Sequence, residues 1–137
     1  MRFFLLFIGT TLTFASVGTV KTLKGEVELK RDKKVIKIHV GSTLNTGDII
    51  QSKAKSSIGI IFSDGSRLSL GEKTLFVINK FKVEPKKKEY DVDLELKKGK
   101  AVFSSGKIGK LAPKSVKFRI PKGVIGIRGT KFAVEAK

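Results

Sequence analysis

At 137 residues the chain is long enough for one domain whose modest core buries roughly two-thirds of its unfolded surface. It contains no cysteine, which excludes disulfides, thiolate metal sites and a lipidated cysteine anchor. Its 29 Lys and Arg against 12 Asp and Glu give a net charge of +17, which points either to anionic partners or to a solvated, solubilising lysine surface.

The chain opens "MRFFLLFIGTTLTFASVG": one positive charge at Arg2, an apolar run from Phe3 to about Leu12, and the small-x-small step Thr13-Phe14-Ala15. This pattern predicts a secretory signal over 1–15, because Gly9 and three threonines leave the stretch short of the roughly 20 apolar residues that span a bilayer. Cleavage there leaves a β domain over 16–137, without a membrane span, and places it in the periplasm.

From residue 16 onward the apolar pattern has period two, the spacing of a strand with one buried face. "EVELK" alternates at Val27 and Leu29, and "KIHV" carries His39, the one histidine, on the polar side of a strand. "TLFVINKFKVE" aligns Leu75, Val77, Asn79, Phe81 and Val83 at period two, which outcounts its helical alignment. "DVDLEL" alternates at Val92, Leu94 and Leu96, and "VKFRI" at Val116, Phe118 and Ile120. The closing "GVIGIRGTKFAVEA" reads as two short strands joined at Gly129 and Thr130. Its glycines at 123, 126 and 129 serve turns or close backbone approach, not a phosphate loop, since no helix opens behind them.

Turn chemistry is expected at Asp32-Lys33, Thr46-Gly47, Asp64-Gly65, Gly71-Glu72, Lys98-Gly99 and Lys122-Gly123. A loose repeat, an apolar residue followed three positions later by glycine, links Leu44 to Gly47, Phe62 to Gly65, Leu96 to Gly99 and Ile120 to Gly123. Its irregular spacing argues against a strict solenoid. The phenylalanines at 62, 76, 81, 103, 118 and 132 are expected to share one core. The fold class is all-β, a single compact domain of short strands, solenoid-like or sandwich-like.

Chemistry-bearing clusters are sparse. His39 reads as a solvated residue and not a general base. Asp91, Asp93 and Glu95 line one strand face, where they either cluster for calcium or are balanced by neighbouring lysines; the second reading is favoured because calcium needs ligands from a tight loop as well. "SGKIGKLAPK" holds a G-x-x-G, but the RNA-clamping loop of that form needs flanking helices, and none is predicted. No catalytic set, metal site or cofactor is expected. The "EPKKKEY" run makes Lys86, Lys87 and Lys88 the candidate anion-binding residues, on a long loop. With 24 Lys, 5 Arg, one Tyr and no Trp to stack on bases, nucleic acid is not the expected partner.

Four pieces in order, "GEVELKRDKKVIKIHVGSTLNTGDII", "SSIGIIFSDGSRLSLGEKT", "LELKKGKAVF" and "FRIPKGVIGIRGTKFAVE", resemble the FecR domain over residues 20 to 136. The residues that carry the resemblance are Gly47, Asp48, Asp64, Gly65, Gly99, Arg128, Gly129 and Thr130. It implies a periplasmic all-β module with solenoid-like coiling. In full-length regulators of the family that module stands between a membrane span with a cytoplasmic anti-sigma region and a distal segment that contacts an outer-membrane transporter. This chain shows neither flanking part, so a stand-alone exported FecR domain is expected. Arg128 serves either an anionic partner or an internal ion pair, the latter favoured because Arg pairs bidentately with carboxylates. The expected function is non-enzymatic binding in the cell envelope, to an envelope protein or an anionic glycan. The alternative is a structural component that assembles through strand edges.

Overall fold

Alternation of apolar and polar residues commits nearly the whole chain to strands, and the computed structural model pairs them into one twelve-stranded sheet. It describes residues 16–127 and 131–137. The leader over 1–15 and the Arg128, Gly129 and Thr130 step lie outside the described residues. The strands are β1 (Gly18–Lys24), β2 (Val27–Arg31), β3 (Lys34–Ile36), β4 (Thr43–Leu44), β5 (Ile49–Ser52) and β6 (Ser57–Phe62) in the first part of the chain. They continue with β7 (Arg67–Leu70), β8 (Leu75–Glu84), β9 (Glu89–Ser104), β10 (Val116–Ile120), β11 (Gly123–Ile125) and β12 (Lys131–Ala136).

β9, at 16 residues, is the spine. Its first half pairs with β8 on one side and β10 on the other; its second half pairs with β7 and β12. The sheet thus divides into a half running β3-β2-β5-β8-β9-β10-β11 and a half running β4-β1-β6-β7-β9-β12, with β9 crossing between them. The crossing is built at residues 97–99. The register against β8 slips between Leu75 and Phe76, so Lys97 is extra, a bulge that bends the strand. Gly99 follows with φ of +102°, and a Cβ there would stand 2.5 Å from Cα of Thr74. Only glycine meets both demands. The Lys98-Gly99 step is therefore a bend inside a continuous strand and not the turn expected of it, because pairing on both flanks carries the ladder through. The other apolar-to-glycine steps do end strands, and Gly47 and Gly65 take positive φ there.

Curled in this way, the sheet faces its two halves across one core. Phe62 on β6 stacks on Phe81 of β8 with centroids 4.4 Å apart and rings 9° from parallel. Phe118 sits amid Phe76, Phe103 and Phe132, meeting Phe132 edge-on at 5.2 Å. Five of the six phenylalanines are buried and Phe132 is half-buried, all in the same core. The all-β, single-domain expectation holds, and the open choice between coiled and layered strands resolves as one sheet curled over one core.

Pairing is antiparallel everywhere in this ladder except between β9 and β10. A parallel pair needs a crossover, commonly helical, and residues 105–115 supply it with α1 (Lys107–Leu111) and a 3-10 turn at Pro113–Ser115. The "SGKIGKLAPK" stretch thus contains a short helix that its composition did not announce, held by the wholly buried Ile108. Among the described residues no helix is long and apolar enough to cross a membrane.

Candidate functional site

Two buried carboxylates organise the turns. Asp48, fully buried at the start of β5, accepts a forked pair of bonds from Arg31, Nε at 2.9 Å and Nη2 at 2.8 Å, and a third from the Asn45 N–H at 2.8 Å. The Gly47 N–H donates to the Ile78 carbonyl and the Ile78 N–H to the Asp48 carbonyl, so this turn is stitched to β8. Arg31 reaches Asp48 from β2 because the two strands are paired, and its planar fork matches a carboxylate.

Asp64 does the same for the crossover. Its Oδ1 accepts the Ser66 N–H at 2.9 Å, and its Oδ2 accepts both the Ser66 hydroxyl at 2.9 Å and the Ile108 N–H at 3.0 Å. The last bond satisfies a first-turn amide of α1, the work of a capping side chain, although Asp64 lies 44 residues away in sequence. The Gly106 N–H donates to Ser66 Oγ at 2.8 Å, and a Cβ on Gly106 would fall 2.5 Å from the Ser66 nitrogen. Nothing local in "SSGKIG" marks Gly106 and Ile108 as partners of the Asp64-Gly65-Ser66 turn; the fold alone joins them.

The acidic strand is a balanced face. Asp93 on β9 receives Arg119 from the parallel β10, Nε to Oδ1 at 2.8 Å and Nη2 to Oδ2 at 2.9 Å. Asn79 donates to Asp93 at 3.3 Å and to Glu95 at 3.4 Å, and Lys80 approaches Asp91 at 3.5 Å. The hydrogen bonds from the Arg119 guanidinium hold the Asp93 carboxyl below its ordinary pKa. Asp93 is thus paired with an arginine and Asp91 with a lysine, while Glu95 accepts from the neutral Asn79 amide; of the neighbouring lysines expected to balance this face, Lys80 is the one that pairs with it among the described residues.

Lys86, Lys87 and Lys88 are exposed, but they do not ride a long loop. Pro85–Lys87 form a 3-10 turn and Lys88 adopts a left-handed conformation at φ 53°, closing a tight hairpin from Glu84 to Glu89. Lys82 bridges those two glutamates at 3.6 and 3.2 Å, and the Glu89 hydrogen bond raises the pKa of its ammonium. The three lysines stand at the tip of a ribbon whose base carries balancing acids.

His39 corrects a detail of the sequence reading: β3 ends at Ile36, and His39 lies exposed in the following loop, where its backbone N–H donates to Ser42 Oγ at 2.9 Å. Of the two roles expected of Gly123 and Gly126, close approach is not seen, since no atom lies within 4 Å of where a Cβ would stand, whereas the turn is: Gly123, at φ +154°, closes the hairpin whose turn residues are Pro121 and Lys122. The role of Arg128 and the join at Gly129 and Thr130 fall outside the described residues. The bidentate pairing expected of Arg128 is made here by Arg31 and Arg119, whose partners lie 17 and 26 residues off and are joined only by strand pairing.

No curated protein and no solved structure matches the chain. The model of a protein family, described as FecR protein, matches residues 48–137, beginning at the buried Asp48 and running through the Asp64 turn, the bend at Gly99 and the last strand. The part of the resemblance over residues 20–47 precedes the match, yet β1 to β4 complete the same sheet. With two carboxylate-tied turns, the bent spine and the family match covering most of the chain, this protein belongs to the FecR family.

Proposed function

We propose that this chain is an exported, non-catalytic binding module of the cell envelope, contacting an envelope protein or an anionic glycan in a signalling role. Membership in the FecR family supports the signalling-related part. The leader-like start over 1–15 supports export to the periplasm. The observation that carries the binding reading is the surplus of exposed lysine over carboxylate on a sheet, with Lys86, Lys87 and Lys88 at a hairpin tip. On strands that are already ordered, docking an anion orders the lysine side chains but no backbone, whereas the same charges on a mobile tail would lose both.

Fractionation with intact-mass measurement tests the first step: the expected product starts near Ser16 and is recovered from the periplasm, and a cytosolic protein that keeps Met1 overturns it. Crosslinking in intact envelopes followed by pull-down tests the second. The rival reading, assembly through strand edges, draws on the open outer edges of β3 and β12. Concentration-dependent oligomers indifferent to salt would favour it, whereas binding to polyanions weakens steeply as salt rises.

A further inference from the structure

Among the described residues all six ion pairs, from Arg31–Asp48 to Arg119–Asp93, lie on or beside β2, β5, β8, the first half of β9 and β10. The other half of the sheet is built differently. Its inward positions, such as Ile60, Leu68 and Phe103, are buried, so alternation sends their neighbours outward. Register sets Ile61, Arg67, Ser104 and Lys131 in one outward row, and Gly59, Ser69, Val102 and Ala133 in the next. A bulge in β1 between Val20 and Thr22 leaves Lys21 and Thr22 both outside the core, beside Gly59.

Lys21, Arg67 and Lys131 consequently stand on alternate strands, β1, β7 and β12, about 10 Å from one to the next at the ordinary strand spacing. Glu135 is the sole carboxylate on this outward face among the described residues, and it sits two outward positions beyond Lys131 along β12. None of the three cations has an ion-pair partner among the described residues. Between Lys21 and Arg67 a shallow groove of about 330 Å3 passes over Gly59 and Ser69.

We propose that this outward face binds an acidic polysaccharide lying across the strands, with Lys21, Arg67 and Lys131 taking successive acid groups. The proposal rests on the reading of the chain as an anion-binding envelope module and supplies its site. The Thr22 side chain packs over Gly59, filling the place a Cβ would take there, so the groove floor carries only small side chains, and the hydroxyls of Thr22, Ser69 and Ser104 stand among the cations where sugar hydroxyls would meet them. Arg67 offers a fork to a carboxylate or sulfate. A membrane surface fits less well, because the exposed large apolar side chains, Val35, Val40, Leu111 and Val124, all lie off these strands. Nucleic acid fits less well too, since the aromatic rings of this half, Phe62, Phe103 and Phe132, face the core and offer no stacking platform.

The test titrates the full-length protein with heparin as a sulfated probe and polygalacturonate as a carboxylated one, with dextran as the neutral control and phosphatidylglycerol vesicles as the membrane arm. The triple variant Lys21→Glu, Arg67→Glu, Lys131→Glu is compared with Lys33→Glu, Lys34→Glu, Lys37→Glu, which changes the net charge equally at the β2–β3 end. The first is expected to weaken binding to both acidic polysaccharides at least about tenfold and to flatten the log-log salt slope by roughly one for each cation–acid pairing removed. The second is expected to stay within about threefold, the share due to net charge alone. Equal losses in the two variants overturn the site but leave the anion-binding reading of the chain standing. Failure of the unsubstituted protein to bind either acidic polysaccharide overturns the site and the glycan reading together. Capture by vesicles in place of polysaccharide overturns the choice of ligand. If the reversed triple does not fold, the glutamine triple at the same positions serves, with the same outcomes expected and the same outcomes fatal.

Discussion

Asp64 accepts three hydrogen bonds while only 6% exposed, and the donors it serves belong to a turn and to a helix far along the chain. Asp64→Ala strands the Ser66 and Ile108 donors, a loss expected to cost about 1–3 kcal/mol in urea unfolding and to loosen α1 selectively in hydrogen exchange. A change confined to global stability, with α1 amides as protected as before, would refute the capping role. Asp93 carries a pH signature instead. Its pKa is lowered by the Arg119 hydrogen bonds, so the stability it contributes is fully present above the ordinary aspartate pKa, about 4, and is lost as pH falls through the lowered folded value. Asp93→Asn should therefore flatten that part of the acid unfolding profile and leave its shape near neutrality alone. At this scale the sequence was half legible. Asp64-Gly65-Ser66 could be read as a turn because its chemistry is local, but the bonds to Ile108 and the Arg31 and Arg119 pairs span 17 to 44 residues and depend on register, which composition does not encode.

Elements divide along the same line. β2 and β10 are readable because one face of each is buried, and burial writes itself into the sequence as period two. β8 is readable as a strand but not in its face: a bulge between Ile78 and Lys80 swaps the sides, so Phe76 and Ile78 are buried before it and Phe81 after it, and the single row Leu75, Val77, Asn79, Phe81 and Val83 expected of it is not the buried one. The short α1 is not readable, because its cause is topological: β10 runs parallel to β9, and a parallel neighbour requires a crossover. The bend at Gly99 looked like a turn for a related reason, since a glycine with positive φ announces a change of direction without saying whether pairing survives it. Gly99→Ala is expected to cost at least about 1–2 kcal/mol from the left-handed conformation alone, with the collision against Thr74 added. A variant as stable as the parent would show that β9 does not need its bend. The aromatic cluster gives a graded test of the curl. Phe103→Ala, at a buried position, should lose about 3–5 kcal/mol, whereas Phe132→Ala on the outermost strand should lose clearly less, because its ring is only half-buried. Equal losses would mean that β12 is as central to the core as β9.

The whole molecule separates its charges. Acids concentrate on the half that also carries the ion pairs, while the outward face of β1, β6, β7, β9 and β12 keeps cations with little to neutralise them. That separation is invisible in the net charge of +17, which is a property of composition, whereas a face is a property of register. Uncompensated cations on one face repel each other in the folded state, and salt screens that repulsion over a Debye length of about 8–10 Å, comparable with the spacing of Lys21, Arg67 and Lys131. Salt should therefore act with opposite signs on two properties of the same protein. Between low and physiological ionic strength the thermal midpoint should rise as self-repulsion is screened, and affinity for an acidic polysaccharide should fall as counterion release loses its drive. The triple reversal at Lys21, Arg67 and Lys131 should blunt both responses together, because the same three charges cause both. Paired scanning calorimetry and binding titrations over one salt series would check this. A midpoint whose salt dependence survives the reversal unchanged would place the repulsion elsewhere on the surface.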